Sequence, residues 1–216
     1  MNIIPDILPS RCYDAKSTLK ASAIVLHATA SSTYDSARSA YLERGLSVHF
    51  TVDKQGRIYQ NVPEEHPAYH AGASQWKDEE WANRFAFGIE MVNRNVAMDE
   101  GNTSDFDEYP MPQVSAVLDL VLYLAKRHRI PWKRILTHAL VSPGRKYDPA
   151  GFYQYFDILE AAMKQEGIQG GYADEMILVP DPANPGKWKD VQGEIFETNR
   201  LKVNASYKGK TYINYK

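Results

Sequence analysis

Cysteine is almost absent from this sequence, because Cys12 is the only one among 216 residues. A single thiol cannot form an intramolecular disulfide, and it cannot supply a metal site built from several thiolates. Long hydrophobic runs are also missing, since no segment approaches the roughly 18 consecutive apolar residues that a membrane helix needs. The first residues, where prolines interrupt a short apolar run, lack the pattern of a secretory signal peptide. We therefore expect a chain made in a cytoplasm, with no membrane span.

An excess of charge of one sign is missing as well. The chain has 25 Lys and Arg against 27 Asp and Glu, which gives a formal net charge of -2. This balance offers no electrostatic attraction for nucleic acid or an anionic membrane surface, and we expect neither as a partner. Hydrophobic residues make up 44% of the chain and charged residues 24%, which is typical of a globular protein with one substantial core.

Short apolar strands alternate with helices along most of the sequence. This alternation predicts an α/β fold with a central mixed β-sheet flanked by helices. The predicted elements are a strand at 23–27, a helix at 31–45, a hairpin at 46–64, a strand at 85–93, a helix at 113–129, a strand at 134–139 and a helix at 151–167.

Local signals set the ends of the first helix and the faces of the hairpin. Ser31, Ser32 and Thr33 are the candidate N-caps, and Gly45 follows the end of the helix. In the hairpin, apolar and polar residues alternate from Val48 onward, so we expect one buried face and one outward face that carries the polar side chains.

The composition changes near residue 168. A Gly/Pro-rich segment follows, and then residues 193–216 alternate like a small β meander. We therefore divide the chain into a main domain, 1–167, and a β-rich C-terminal extension, 168–216. The extension is too short for an independent core, so we expect it to pack on the main domain or to contact a partner.

Two histidines lie in predicted strands, and one aspartate follows the second of these strands. His27 ends the first strand, His138 lies within the strand 134–139, and Asp148 follows in a polar loop. Two neutral imidazoles and one carboxylate form a plausible zinc site with one open tetrahedral position. The spacing alone leaves open the alternative that these are ordinary hydrogen-bonded histidines.

Glu90 is the one charged residue in the apolar strand 85–93. A carboxylate in such a strand is costly unless it is paired or faces a cleft, and burial raises its pKa toward the range of a general base. A salt-bridged strand residue is the alternative interpretation.

Four segments, taken in order, resemble the zinc-dependent N-acetylmuramoyl-L-alanine amidases of the type 2 amidase family: IVLHATAS, SVHFTVDKQGRIYQNVPEEHPAYHAGAS, FGIEMVN and ILTHALVSPGRKYDPAGF. The resemblance covers roughly residues 21–163 and is specific as a set. That family includes endolysins similar to T7 lysozyme, AmpD recycling enzymes and peptidoglycan recognition proteins.

The resemblance implies that His27, His138 and Asp148 bind Zn²⁺. In some relatives a cysteine is the last ligand, and Asp148 in that position is more similar to the AmpD side of the family. Lys146 matches the family lysine, whose cation would face the amide oxygen as it becomes an oxyanion. Glu90 matches the glutamate that faces the attacking water. Val48 stands where some relatives have a tyrosine with a catalytic role. The resemblance therefore favours Glu90 as the catalytic residue.

Three further residues are implied to contact substrate. His49 matches the family HF position, where it either lines the cleft or supports a ligand from behind. His70 lies in YHAGAS, similar to the WHAG stretch of many relatives, and a hydrogen-bonded loop histidine is the alternative interpretation. Arg145 lies in GRKYDP beside the other candidates. Of Trp76 and Trp81, which could stack on sugars or hold the loop to the core, we expect one in the core.

The resemblance implies zinc-dependent hydrolysis of the amide between N-acetylmuramic acid and L-alanine, with peptidoglycan or muropeptides as partners. We expect an endolysin-like or secreted enzyme that acts on the cell wall. The alternatives are a cytoplasmic recycling amidase for soluble anhydromuropeptides and a non-catalytic peptidoglycan-binding module. The oligomeric state stays open.

Overall fold

The computed structural model describes residues 1–94, 107–142, 145, 146, 148, 149, 151–168, 177–180 and 188–191. Its strands are β1 (Ile3–Pro5), β2 (Ala23–Ala28), β3 (Phe50–Val52), β4 (Ile58–Gln60), β5 (Gln75–Trp76), β6 (Glu79–Glu80), β7 (Ala86–Met91), β8 (Ile135–Thr137), β9 (Ile177–Pro180) and β10 (Trp188–Val191). Its α-helices are α1 (Tyr34–Arg44), α2 (Met111–His128), α3 (His138–Val141) and α4 (Phe156–Gln165).

Six of these strands form one mixed sheet, in the order β1-β4-β3-β7-β2-β8. Strands β3, β7, β2 and β8 run parallel to one another, whereas β4 is antiparallel to β3 in the predicted hairpin. The predicted α/β class with a central mixed sheet is confirmed. Strand β1, which pairs in parallel with β4, was not predicted, because three residues that include a proline give no strand signal.

The register of the sheet separates an apolar face from a polar one. Leu26 pairs with Ile89, which also pairs with Phe50, and these side chains share the main core with the apolar stripe of α2. On the opposite face His27 pairs with Glu90 and Glu90 with Thr51. Helix α1 packs over the Thr51 end of this face, where the Tyr41 hydroxyl lies 3.3 Å from Thr51 Oγ1. The sheet therefore has a helix on each face.

The predicted helix ends are confirmed for α1. Thr33 is the N-cap, and its side chain accepts a hydrogen bond from the Ser36 amide at 3.2 Å. Gly45 follows the last turn with a φ of 63°, a conformation that glycine adopts without a Cβ penalty. Lys126 and Arg127 lie in the last turn of α2, where the helix dipole favours cations.

Two expectations about the strands are wrong. His49 and Thr51 are as fully buried as Phe50, because α1 and neighbouring loops cover the face expected to be outward. Strand β8 stops at Thr137, whose hydroxyl accepts from the Leu140 amide at 3.1 Å and so caps α3. His138 is therefore the first residue of a short helix at the sheet edge.

The C-terminal extension is described only in part. Strands β9 and β10 pair antiparallel. Residues 193–216, where we predicted the meander, lie outside the described residues, and the domain boundary near 168 stays a prediction. Among the described helices, none is long and apolar enough to cross a membrane.

Candidate metal centre

Parallel pairing brings the first candidates together at one edge of the sheet. His27 is the last but one residue of β2, and Glu90 occupies the paired position on β7. Strand β8 runs parallel on the other side of β2, so His138, directly after β8, begins its helix at the same edge. The carboxyl ends of parallel strands are where α/β folds collect functional side chains.

Asp148 is held at this edge by the backbone. Its carbonyl accepts from the Ala139 amide at 2.9 Å, and its Oδ2 accepts from the Ala28 amide at 3.2 Å. These two bonds connect the loop after α3 to the start of α3 and to the end of β2. The carboxylate is thereby placed between the two histidines.

Three side chains converge closely enough to share a metal ion. Oδ1 of Asp148 lies 3.1 Å from Nδ1 of His138, and its Oδ2 lies 3.6 Å from Nδ1 of His27. The two imidazole centroids are 4.3 Å apart, and one ligand atom from each of the three residues lies within 4.8 Å of the others. The side chains of His27 and His138 are 1% and 6% exposed.

The nitrogen atoms facing this centre are suited to coordination. Nε2 of His138 lies 3.2 Å from the Ala71 carbonyl, which can accept the Nε2 proton when Nδ1 coordinates a metal. Nδ1 of His27 is buried and has no hydrogen-bond partner among the described residues. An unpartnered buried nitrogen beside an imidazole and a carboxylate fits a metal ligand set.

The pKa shifts favour the ligand forms of these groups. Burial, aided by the nearby His138 and Lys146, lowers the pKa of His27 to about 4, so this imidazole is neutral near pH 7. Burial opposes ionisation of Asp148, but its contact with His138 outweighs this and holds its pKa well below the usual value. A neutral imidazole and an ionised carboxylate are the forms that bind metal.

Glu90 lies beside this group, at the position of β7 that pairs with His27. Its Oε2 is buried and has no hydrogen-bond partner in the part of the chain that the structure describes. Burial and then the charge of Asp148 raise the pKa of Glu90 well above its ordinary value, and the charge of Lys146 opposes this rise. The arrangement can accept and release a proton next to the metal centre.

The three residues predicted to contact substrate make hydrogen bonds within the protein. Both ring nitrogens of His49 are engaged, since Nδ1 accepts from the Gly88 amide at 3.0 Å and Nε2 lies 3.0 Å from the His66 carbonyl. Arg145 donates to the Ala71 and Ala73 carbonyls and to Ser142 Oγ. These groups hold the backbone, and neither nitrogen of His49 is left for a ligand.

His70 lies behind His27. Its Nδ1 is 2.9 Å from Nε2 of His27, and its Nε2 is 3.3 Å from the Ala86 carbonyl. The sequence did not reveal this contact or the role of the Ala71 carbonyl, because a backbone acceptor has no side-chain signature. Trp76 is the tryptophan in the core, at 6% exposed, whereas Trp81 is 44% exposed.

The buried histidines predict acid sensitivity of the metal-free protein. Burial lowers the pKa of His27 to about 4 and that of His49 to about 3, from an ordinary 6.5. Below pH 6.5 these imidazoles become protonated in the unfolded chain but stay neutral in the folded protein. The free energy of unfolding therefore falls as the pH falls. Each such group contributes up to about 1.4 kcal/mol per pH unit. Glu90 acts in the opposite direction, because its folded pKa is raised.

The measurement is the free energy of unfolding by urea, with a chelator present, at pH 7.0, 5.5 and 4.5. We expect a progressive loss over this range and a shallower loss in His49→Gln, which removes one contributing imidazole. A free energy that is flat between pH 7.0 and 4.5 would contradict the burial of neutral histidines.

Comparison with known proteins gives one consistent family. A family model described as N-acetylmuramoyl-L-alanine amidase matches residues 17–151. The amidase AmiD of Escherichia coli K12 is 29% identical over 158 residues, which is 70% of this chain and 54% of AmiD. The 1,6-anhydro-N-acetylmuramyl-L-alanine amidase AmpD of Haemophilus influenzae is 33% identical over 112 residues, 52% of this chain and 54% of AmpD.

A solved structure gives the same result for the fold. The E. coli AmiD complex with anhydro-N-acetylmuramic acid-L-Ala-D-gamma-Glu-L-Lys has a TM-score of 0.59 at 26% identity, and the match covers 78% of this chain and 63% of that one. The chain thus spans about half the length of the curated relatives it matches.

Proposed function

Because the chain belongs to the N-acetylmuramoyl-L-alanine amidase family, whose model matches residues 17–151, we propose that it hydrolyses the amide between N-acetylmuramic acid and L-alanine. The observation that carries the proposal is the meeting of His27, His138 and Asp148 within 4.8 Å, beside Glu90, whose Oε2 has no hydrogen-bond partner among the described residues. A binding module would have no need for a partly buried carboxylate with a raised pKa next to a metal centre.

The metal in this proposal is Zn²⁺. Two imidazoles and one carboxylate are a common catalytic zinc set, and Nδ1 of His27 and Nδ1 of His138 both face the Asp148 carboxylate. When bound, Zn²⁺ would polarise the scissile carbonyl and lower the pKa of the attacking water. The single cysteine of the chain, Cys12, is buried in a cluster with Leu8 and Val48 and takes no part.

Glu90 and Lys146 have separate roles in the proposal. Glu90 would accept at Oε2 the proton of the attacking water and later deliver it to the leaving amine of L-alanine. Its raised pKa suits it to both steps, since the carboxyl group is easily reprotonated. Lys146 would hold its cation toward the amide oxygen as negative charge develops there. Its charge already lowers the pKa values of Glu90 and His27, which supports its closeness to both.

The substrate belongs to peptidoglycan, either as the intact wall or as soluble fragments. We expected an endolysin-like or secreted enzyme from the sequence. Soluble anhydromuropeptides are the second candidate, and they are favoured by the anhydromuramyl substrate in the E. coli AmiD complex and by the name of the AmpD relatives. Cleavage of the intact wall would place the activity at the cell wall, and cleavage of soluble anhydromuropeptides would place it in a recycling route.

The test is a mass-spectrometric digest. Purified protein is incubated with intact sacculi and, separately, with soluble anhydromuropeptides, each with no additive, with a chelator, and with chelator followed by excess Zn²⁺. We expect release of peptides that begin with L-Ala, loss of that release on chelation and its return with zinc. The preferred substrate separates wall lysis from recycling.

Three outcomes would count against the proposal. Bound zinc with no cleavage of either substrate would indicate a recognition module. Cleavage that survives full removal of the metal would contradict the zinc centre. Release of peptides that begin at any other residue would contradict the choice of bond.

A further inference from the structure

Both candidate ligand histidines lie within hydrogen-bond distance of one short segment, residues 70–71. Nε2 of His27 meets Nδ1 of His70 at 2.9 Å, and Nε2 of His138 meets the Ala71 carbonyl at 3.2 Å. One side chain and one backbone carbonyl, adjacent in sequence, thus contact the far side of each imidazole. The other ring nitrogen of each imidazole, Nδ1, faces Asp148.

The direction of the hydrogen bond between His27 and His70 follows from the chain of acceptors. The Ala86 carbonyl can only accept, so Nε2 of His70, 3.3 Å away, carries the proton. Nδ1 of neutral His70 then has a lone pair and accepts from Nε2–H of His27. Because neutral His27 has one ring proton, its Nδ1 keeps the lone pair that a metal needs.

The packing around His70 holds it in this orientation. A Cβ on Gly88 would lie 2.7 Å from Cγ of His70 and 2.9 Å from Cγ2 of Val48, so only glycine leaves room for the ring against β7. The Oδ1 of Asn83 accepts from the amides of His70 and Ala71 at 3.0 and 2.8 Å. Main chain and ring are therefore both fixed before any ligand arrives.

We propose that His70 is a positioning residue that fixes His27 as the Nε2–H tautomer and so aims its Nδ1 lone pair at the metal centre. This role replaces the substrate contact expected for His70 from the sequence. The inference rests on the proposed metal centre but not on the amide chemistry. Partners behind the ligating imidazoles typically raise metal affinity by about 10- to 100-fold.

The test compares His70→Leu with His70→Asn, which have nearly the same shape. The Asn side-chain oxygen can occupy the position of Nδ1 and accept from His27, whereas Leu cannot accept. We expect His70→Leu to weaken Zn²⁺ binding by about 10- to 100-fold, and His70→Asn to recover most of that loss. Affinity is measured by competition with a chromogenic zinc chelator. His66→Leu is the matched control, because His66 bonds the Ser17 carbonyl instead of this centre.

A second measurement does not depend on the variants folding. Nitrogen-15 NMR of the metal-free wild type reports which ring nitrogen of His27 carries the proton, and we expect Nε2. A proton on Nδ1 of His27, or equal zinc affinity in His70→Leu and the wild type, would overturn the inference. An inactive protein that binds zinc as expected would refute the proposed amidase function and leave the role of His70 standing.

Discussion

Replacing Glu90 with glutamine lowers the rate of the proposed amide hydrolysis by about 10²- to 10⁴-fold, the usual contribution of a general base. Glutamine keeps the shape of the side chain but cannot take the proton of the attacking water. The buried Oε2 of Glu90 has no hydrogen-bond partner among the described residues, so the change breaks no such contact of that atom. We therefore expect unchanged zinc stoichiometry and a stability equal to or above that of the wild type.

The assay is the release of L-Ala peptides over time, with zinc content and thermal unfolding measured on the same samples. Glu43→Gln, an exposed position on α1, is the matched control and should keep full activity. A Glu90→Gln variant with wild-type turnover would remove Glu90 from the proposed chemistry. A variant that also loses its zinc would show that Glu90 supports the metal instead of moving a proton.

The strands and helix ends that were predicted correctly are those with local signals. The apolar runs of β2 and β7 stand out because parallel strands with two covered faces exclude charge, and Glu90 stands out for the same reason. The hydroxyl of Thr33 and the positive φ of Gly45 act within one turn of α1, so their effect is contained in neighbouring residues.

The features that escaped prediction depend on contacts between distant segments. The polar alternation at His49 suggested an outward face, but α1 and the loops cover that face and the ring bonds two backbone groups. Arg145 resembles a substrate-binding cation in sequence, yet its guanidinium donates to carbonyls more than seventy residues away. The resemblance to a family gives the position of such a residue but not the atom that it contacts.

The same limit applies to the metal centre itself. The resemblance brings His27, His138 and Asp148 together as a set, whereas the sequence contains no sign of which ring nitrogen faces the metal. That choice depends on the acceptors behind the rings, His70 for one and the Ala71 carbonyl for the other. A backbone carbonyl is present at every residue, so only the fold singles out this one.

The Asp148→Ala variant loses stoichiometric zinc while it keeps the fold. Without the carboxylate the two imidazoles alone hold the ion, and we expect zinc affinity to fall by more than about 100-fold, beyond the usual effect of an outer partner. The carbonyl of Asp148, which accepts from the Ala139 amide, is still present in the variant. The Ala28 amide loses its acceptor Oδ2, which costs about 1–3 kcal/mol of unfolding free energy.

Two further variants separate charge from hydrogen bonding at this position. Asp148→Asn can still accept from the Ala28 amide but has no negative charge, so it should restore the stability and leave most of the zinc loss. Asp119→Ala, an exposed aspartate on α2, should change neither quantity. Metal content is read by elemental analysis after dialysis against a weak chelator. Stoichiometric zinc in Asp148→Ala would exclude Asp148 as a ligand, and the unpartnered Nδ1 of His27 would then need another explanation.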